Sequence, residues 1–245
     1  MFEQNFAQHF HSYFSIQIAD TPELIKAVHK LRYDVYCAEL QYEKDCPLDC
    51  EIDSFDEYSK FVLVTHRPTG VYAGCVRLVI PPASNRNALM PFEANCLPMI
   101  KSADLSFLAN QDRHHIGELS RLSVLSFFRR RAGEENNPYG FNLGIPPDYV
   151  VDIDEKRSYP LIAIALYMAS ASIAINNNIQ FVLVMMEPRL AKHLSRYGIC
   201  FMQISEAIDY HGERALFYID NPTLVANFKS ELEEFYQLVD SQLKS

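Results

Sequence analysis

Three short runs in this chain of 245 residues carry side chains that can do acid–base and ion-pair chemistry. The first is acidic, Glu51-Ile52-Asp53-Ser54-Phe55-Asp56. Taken alone it reads as a solvated loop. The second, Gly74-Cys75-Val76-Arg77, sits inside an apolar stretch. A buried guanidinium is costly unless paired, so Arg77 is expected to meet a carboxylate or to face a cleft. The third is Glu118-Leu119-Ser120-Arg121-Leu122-Ser123-Val124. Residues three apart in a regular strand point to opposite faces, so Glu118 and Arg121 can act together only where a bulge re-aims one of them. The plainer alternative is a structural ion pair among these residues. Two basic groups complete the set. Arg129-Arg130-Arg131 follows the third run, and Arg189, Lys192 and Arg196 share one face of a helix, where they also read as an ordinary solvated surface.

Ordered elements must hold these runs in place. A helix is expected over Pro22 to Leu40, capped by Asp20 or Thr21, with Glu23 completing a capping box with Asp20 and with Leu24, Val28, Leu31 and Val35 facing the core. Gln41 to Phe55 reads as a long loop. Lys60–Thr65 and Val71–Ile80 form a hairpin around Arg67-Pro68-Thr69-Gly70, and Gly117–Val124 is a third strand. A short helix follows Pro91. The segment from Arg129 to Lys156, rich in Gly, Pro and Asn, looks like a loop-dominated insertion. Ser158 can cap an apolar helix with Pro160 in its first turn, running to Asn176. Gln180–Met186 is a buried strand, Pro188 opens another helix, two shorter strands flank His211-Gly212, and a polar helix closes the chain from about Pro222. With no internal repeat and no linker, residues 1–245 read as one domain with a mixed sheet and helices on both faces.

The balance of 22 basic and 31 acidic residues, net −9, argues against an extended nucleic-acid-binding face. Cys37, Cys46, Cys50, Cys75, Cys96 and Cys200 show neither a CxxC framework nor His at metal-ligand spacing, so reduced thiols and no metal are expected. The longest apolar run, Leu161 to Ile175, falls short of the ~20 residues of a membrane span and reads as a buried helix. The first residues lack the basic and apolar regions of a signal peptide, so a cytoplasmic location is expected.

Read in order, Arg32…Tyr36, Asp53-x-x-Asp56, Gly74-x-x-Arg77, Pro91-Phe92 and Glu118-x-x-Arg121 form a set that resembles the signature of the acyl-homoserine lactone synthases. It is also similar to that of their relatives in the GNAT superfamily, the long-chain N-acyl amino acid synthases. The whole chain resembles the acyltransferases associated with PEP-CTERM/exosortase systems, a group that the Tyr210-His211-Gly212-Glu213-Arg214 turn suits. The lactone synthases carry a Trp soon after the Arg-bearing helix; this chain has no Trp, and Tyr42 stands near that place.

The resemblance implies a GNAT fold of class α/β (α+β). Its sheet would be mixed but mostly antiparallel, with central parallel strands, here Gly117–Val124 and Gln180–Met186, splayed to admit the pantetheine arm of an acyl donor. It implies transfer of a long-chain acyl group from acyl carrier protein or coenzyme A to the amine of an amino acid or similar acceptor, with no permanently bound cofactor. Glu118 would be the base, with Arg32, Asp53, Asp56, Arg77 and Arg121 as a charged network around the acceptor. Arg129, Arg130, Arg131, Leu122 and Val124 would bind the donor, and Phe92, Phe127, Phe128, Met185 and Val124 would wall the acyl chain. Arg189, Lys192 and Arg196 would dock the acidic carrier protein. A lactone synthase using S-adenosylmethionine and a non-catalytic acyl-binding protein are the alternatives.

Overall fold

The computed structural model describes residues 5–85, 87–101, 111–129, 145, 146 and 148–244. Helix α1 (Phe6–Tyr13) leads into β1 (Phe14–Ile18), and α2 (Pro22–Arg32) follows. Thr21 caps α2 through the amide of Leu24, so the expected Asp20–Glu23 box does not form. The α-helix also stops at Arg32, and the chain continues as a wider π-helical turn over Tyr33–Glu39. Val28, Leu31 and Val35 are buried as their spacing predicts, while Leu24 is only partly covered.

The strands are β2 (Ser59–His66), β3 (Tyr72–Val79), β4 (Ile116–Val124), β5 (Phe181–Met186), β6 (Met202–Gln203), β7 (Ile208–Asp209) and β8 (Glu213–Asp220). They form one sheet in the order β1-β2-β3-β4-β5-β8-β6, with β7 paired to β8. All pairings are antiparallel except β4–β5. This is the mixed, mostly antiparallel sheet expected from the sequence. α2 packs against β2 and β3 on one face, and the short α3 (Pro91–Asn95) covers β4.

The other face carries the apolar helix. It is preceded by α4 (Ile153–Ser158), capped by Asp152 rather than starting at Ser158. Ser158 is buried inside the turn and donates to the carbonyl of Glu155 at 2.6 Å. Helix α5 (Pro160–Asn176) is then buried on nearly all sides, since it lies between the sheet and the C-terminal helix. The helical run Ile153–Asn176 is long and apolar enough to cross a membrane by length and composition, but most of it is covered by protein. α6 (Pro188–Ser195) follows β5, and the chain ends in two helices, α7 (Asn221–Ala226) and α8 (Ser230–Leu243), where one was expected.

The expectation of reduced thiols throughout fails at one pair. Cys37 and Cys46 form a disulfide with Cα atoms 6.4 Å apart. The π-helical turn places Cys37 beside the returning loop, a proximity that spacing along the chain cannot reveal.

Close packing of α5 on the sheet explains the glycine in β3. A Cβ on Gly74 would stand 2.9 Å from the Ser123 carbonyl, 3.1 Å from Ile162 and 3.3 Å from Leu166. Gly74→Ala is expected to destabilise the protein by roughly 1–3 kcal/mol, because backbone and two buried side chains must shift. A lowered urea midpoint with unchanged slope is the expected result.

Candidate active site

The parallel pair at the centre of the sheet parts almost as soon as it forms. β4 and β5 are in register at Ile116↔Phe181, Gly117↔Val182 and Glu118↔Leu183, and no pairing follows although both strands continue. The opening is lined by Leu119, Ser120, Arg121 and Leu122 on one side and by Val184, Met185 and Met186 on the other.

On its other edge β4 carries the bulge on which joint action of Glu118 and Arg121 depended. Arg77 stands opposite Ser120, and Cys75 stands opposite Ser123, so β4 spends three residues where β3 spends two. Residues paired across strands share a face, so Glu118, Ser120, Arg121 and Ser123 all look toward α2. Arg121 takes the positive φ of +52° that this requires, an uncommon conformation for a residue with a side chain. Tyr36 donates to the carbonyl of Leu122 at 3.0 Å, satisfying an acceptor within the bulge, and the Arg121 guanidinium lies 5.2 Å over the Tyr36 ring.

The predicted charged residues converge there. Arg32, fully buried, donates to Glu51 and, at 2.7 Å, to Asp56. Arg77 donates to Asp53 at 2.5 Å, to Asp56 at 2.7 Å and to Ser120 Oγ at 3.0 Å. Arg121 reaches Glu43 at 2.8 Å and Glu51 at 3.1 Å, with Asp53 at 3.7 Å. Asp53 and Asp56 close a capping box on the helical turn Ser54–Tyr58, which fixes the acidic segment as it enters β2. Burial opposes the ionisation of Asp56, but Arg32 and Arg77 outweigh it and hold its carboxyl below the ordinary range.

Glu118 stands apart from these pairs. It is 2% exposed and accepts a hydrogen bond from the Phe92 amide at 2.9 Å. Desolvation pushes its pKa up to about 8, against the pull of that amide, Arg77 and Arg121. A carboxyl so placed is neutral in weak acid and a competent base just above neutrality.

The cleft joins two environments. On the α2 face it presents Glu118, Asp53, Arg77, Arg121 and Arg214; on the α5 face it presents Leu119 and Tyr167. Leu119 and Tyr167 also line a second, mostly apolar hollow that continues to Met168, Val182 and Phe228.

Other expected site residues divide. Phe92, Met185 and Leu122 line the cleft. Val124 is buried outside it, and Phe127 and Phe128 lie in a separate aromatic cluster with Phe14, His66 and Tyr159. Those three pack the core because β4 has already turned away from the opening. Arg129 donates to the Val124 carbonyl at 2.5 Å and pairs with Glu39, so its charge is already engaged. Arg130 and Arg131, like most of the 133–156 insertion, lie outside the described residues. Arg189, Lys192 and Arg196 are exposed on and just after α6. Glu43, Glu51, Tyr167 and Arg214 were not among the expected site residues. Glu51 adjoins the Asp53-x-x-Asp56 motif, and Arg214 stands in the turn that carried part of the family resemblance. Nothing local marked Glu43 or Tyr167.

The ionic network sets a stability prediction. Asp56→Ala leaves Arg32 and Arg77 short of a buried partner and is expected to cost about 3–5 kcal/mol, measured by urea unfolding at neutral pH. Because the native pKa of Asp56 is depressed, its contribution is complete above the ordinary aspartate value of about 3.9 and is lost as pH falls through the native value. Glu118 acts oppositely: with its pKa raised from 4.5 to about 8, it removes stability as pH climbs across that window, and Glu118→Gln will flatten that slope.

Residues 31–136 match the family model described as an acetyltransferase (GNAT) domain. No curated protein matches the sequence. Among solved structures the chain is similar to the acyl-homoserine lactone synthase LasI, at 17% identity and a TM-score of 0.52, covering 85% of this chain and 90% of that one. It is similar to FeeM, an N-acyl amino acid synthase from uncultured soil microbes, at 13% identity and a TM-score of 0.55, covering 88% and 94%. It is also similar to BjaI, a CoA-dependent acyl-homoserine lactone synthase solved with SAM and isopentyl-CoA, at 16% identity and a TM-score of 0.58, covering 95% and 91%. At these identities the likeness is one of fold. A parted parallel pair at the centre of the sheet and the match over residues 31–136 agree: this part of the chain resembles an acetyltransferase (GNAT) domain, and the whole chain shares the fold of the acyl synthases it is similar to.

Proposed function

We propose that the protein is an N-acyltransferase that moves a long-chain acyl group from a carrier-protein or coenzyme A thioester to the amine of an amino acid or similar acceptor. The observation that carries this reading is the cleft between β4 and β5, polar with a buried carboxyl on one face and apolar on the other. Backbone groups left without a ladder beyond Glu118 are free to bond the amides of the pantetheine arm. The acyl tail then has an apolar route past Leu119 and Tyr167, and the amine approaches from the face of Glu118.

The reaction needs no covalent enzyme intermediate. The amine nitrogen attacks the thioester carbonyl, the amide C–N bond forms, and the C–S bond breaks. Glu118, directly or through a water, takes the proton that the amine loses and passes it on to the departing thiolate, which leaves as the thiol. Arg32, Asp53, Asp56, Arg77 and Arg121 position the acceptor side of the cleft. The FeeM and BjaI likenesses support acyl transfer without choosing the donor or the acceptor. The link to exosortase systems rests on the sequence resemblance, and neighbouring genes would test it.

The test is mass spectrometry of lipid extracts from cells overproducing the protein or its Glu118→Gln variant. New N-acyl amino acids in the first strain and none in the second are expected. Acyl-homoserine lactones would replace this reading with the lactone synthase, and no new acylated amine would count against transfer to common amines.

With purified enzyme, kcat/KM is expected to rise with pH and level off above about 8, because the base must be ionised. In Glu118→Gln that limb disappears and the rate falls by roughly 100- to 10,000-fold.

The exposed Arg189, Lys192 and Arg196 match the acidic surface of a carrier protein. Reversing all three to Glu is expected to raise KM for acyl carrier protein at least about tenfold, with acyl-CoA unaffected. Equal effects on both donors would remove the docking role.

A further inference from the structure

Three arginines line the cleft: Arg77, Arg121 and Arg214. Two are neutralised by the protein itself. Arg77 holds Asp53 and Asp56, and Arg121 holds Glu43 and Glu51. Arg214 is different. No carboxylate among the described residues forms an ion pair with it, and its Nε is buried with no hydrogen-bond partner. Its surroundings are aromatic instead. The guanidinium lies 5.9 Å over the Tyr42 ring, and Tyr42 stacks on His211 at 4.7 Å.

An orphaned donor on a cationic side chain is costly unless something completes it. In a cleft that opens to ligand, the missing partner is an anionic group carried by the ligand.

Register places that group. Glu118 is opposite Leu183, and Leu183 is opposite Tyr218. Residues of β8 alternate between faces, so Arg214, Leu216 and Tyr218 share the face of Glu118. Leu216 packs there with Phe92, Cys96 and Leu183. The buried Cys96 lines the same cleft as Glu118 and Arg214. The base and the unpaired cation thus look into one compartment, the polar side of the cleft, while the apolar route for an acyl tail leaves by the other face.

We infer that Arg214 binds the carboxylate of the acceptor, which makes the acceptor an α-amino acid and not a simple amine. This rests on the N-acyltransferase reading and names the acceptor class. An α-amino acid carries its amine and carboxylate on one carbon. Seated on Arg214, it turns the amine toward Glu118 and the thioester. Arg214 is then a specificity and positioning residue.

The experiment is calorimetric binding of three probes to the wild-type protein and to Arg214→Met and Arg214→Lys. The probes are N-dodecanoylglycine, its carboxamide N-dodecanoylglycinamide, and coenzyme A. The first two differ by one charge. The wild type is expected to bind the acid tighter than the amide by roughly 10- to 100-fold, the range of a charge-assisted hydrogen bond. Arg214→Met is expected to erase that preference by weakening the acid alone, and Arg214→Lys to keep part of it. Arg214 is partly exposed near the start of β8, so the melting temperature of each variant will verify folding independently. Equal binding of acid and amide by the wild type, or equal weakening of both in Arg214→Met, would overturn the inference. So would an effect of Arg214→Met confined to coenzyme A, which would assign the cation to the donor's phosphates. Binding of neither lipid would instead remove the acyl-amino acid reading, and the inference with it.

Discussion

Everything in this molecule that bears on chemistry depends on β4 being pulled two ways. On one edge it pairs with β5 for three residues and then leaves it. On the other it stays with β3, but only by taking up an extra residue between Ser120 and Ser123. A sheet that parts at its centre forfeits backbone hydrogen bonds in a region otherwise packed as core. That arrangement persists where the freed groups face a ligand and where something else holds the strand in place.

The ionic network supplies that hold. Arg121 is in an unfavourable backbone conformation, yet its guanidinium is fixed by Glu43, Glu51 and the Tyr36 ring, and Tyr36 also caps the bulge carbonyl. Arg32 and Arg77 share Asp56, which ties α2 to β3. Buried ion pairs add little net stability compared with apolar packing, but removing one partner is expensive. Their value here is geometric: they make the bulge and the acidic segment one unit. The Cys37–Cys46 disulfide belongs to the same unit, because it closes the loop that carries Tyr42 and Glu43.

With the strand fixed, the two faces of the sheet differentiate the cleft. Even and odd residues of β4 would ordinarily separate Glu118 from Arg121, and the bulge returns Arg121 to the same side. Polar groups therefore gather on the α2 face, and Leu119 and Tyr167 leave an apolar path toward α5. The cleft thus sets a charged side, built on buried Arg77 and Glu118, next to an apolar one.

Much of this was legible in the sequence. Alternation and turn residues located β2, β3, β4 and β5, and the unbroken apolar run marked α5 as buried. The cost of an unpaired charge pointed Arg77 to a carboxylate or a cleft, and the three-residue spacing of Glu118 and Arg121 made any joint action of the two depend on a bulge. Those are local rules, and local rules were enough. They failed where partners come from far along the chain. Glu43 meets Arg121 across 78 residues, and the Cys37–Cys46 pair needed a π-helical turn that no periodicity announces. Phe127 and Phe128 looked like cleft walls by position, but the end of β4 had already turned into the core. The sequence by itself determined which residues must be paired, buried or turned. The tertiary structure decided which partners met and left Arg214 facing the cleft with no carboxylate partner among the described residues, because contact in a folded chain depends on the register of strands and not on distance along it.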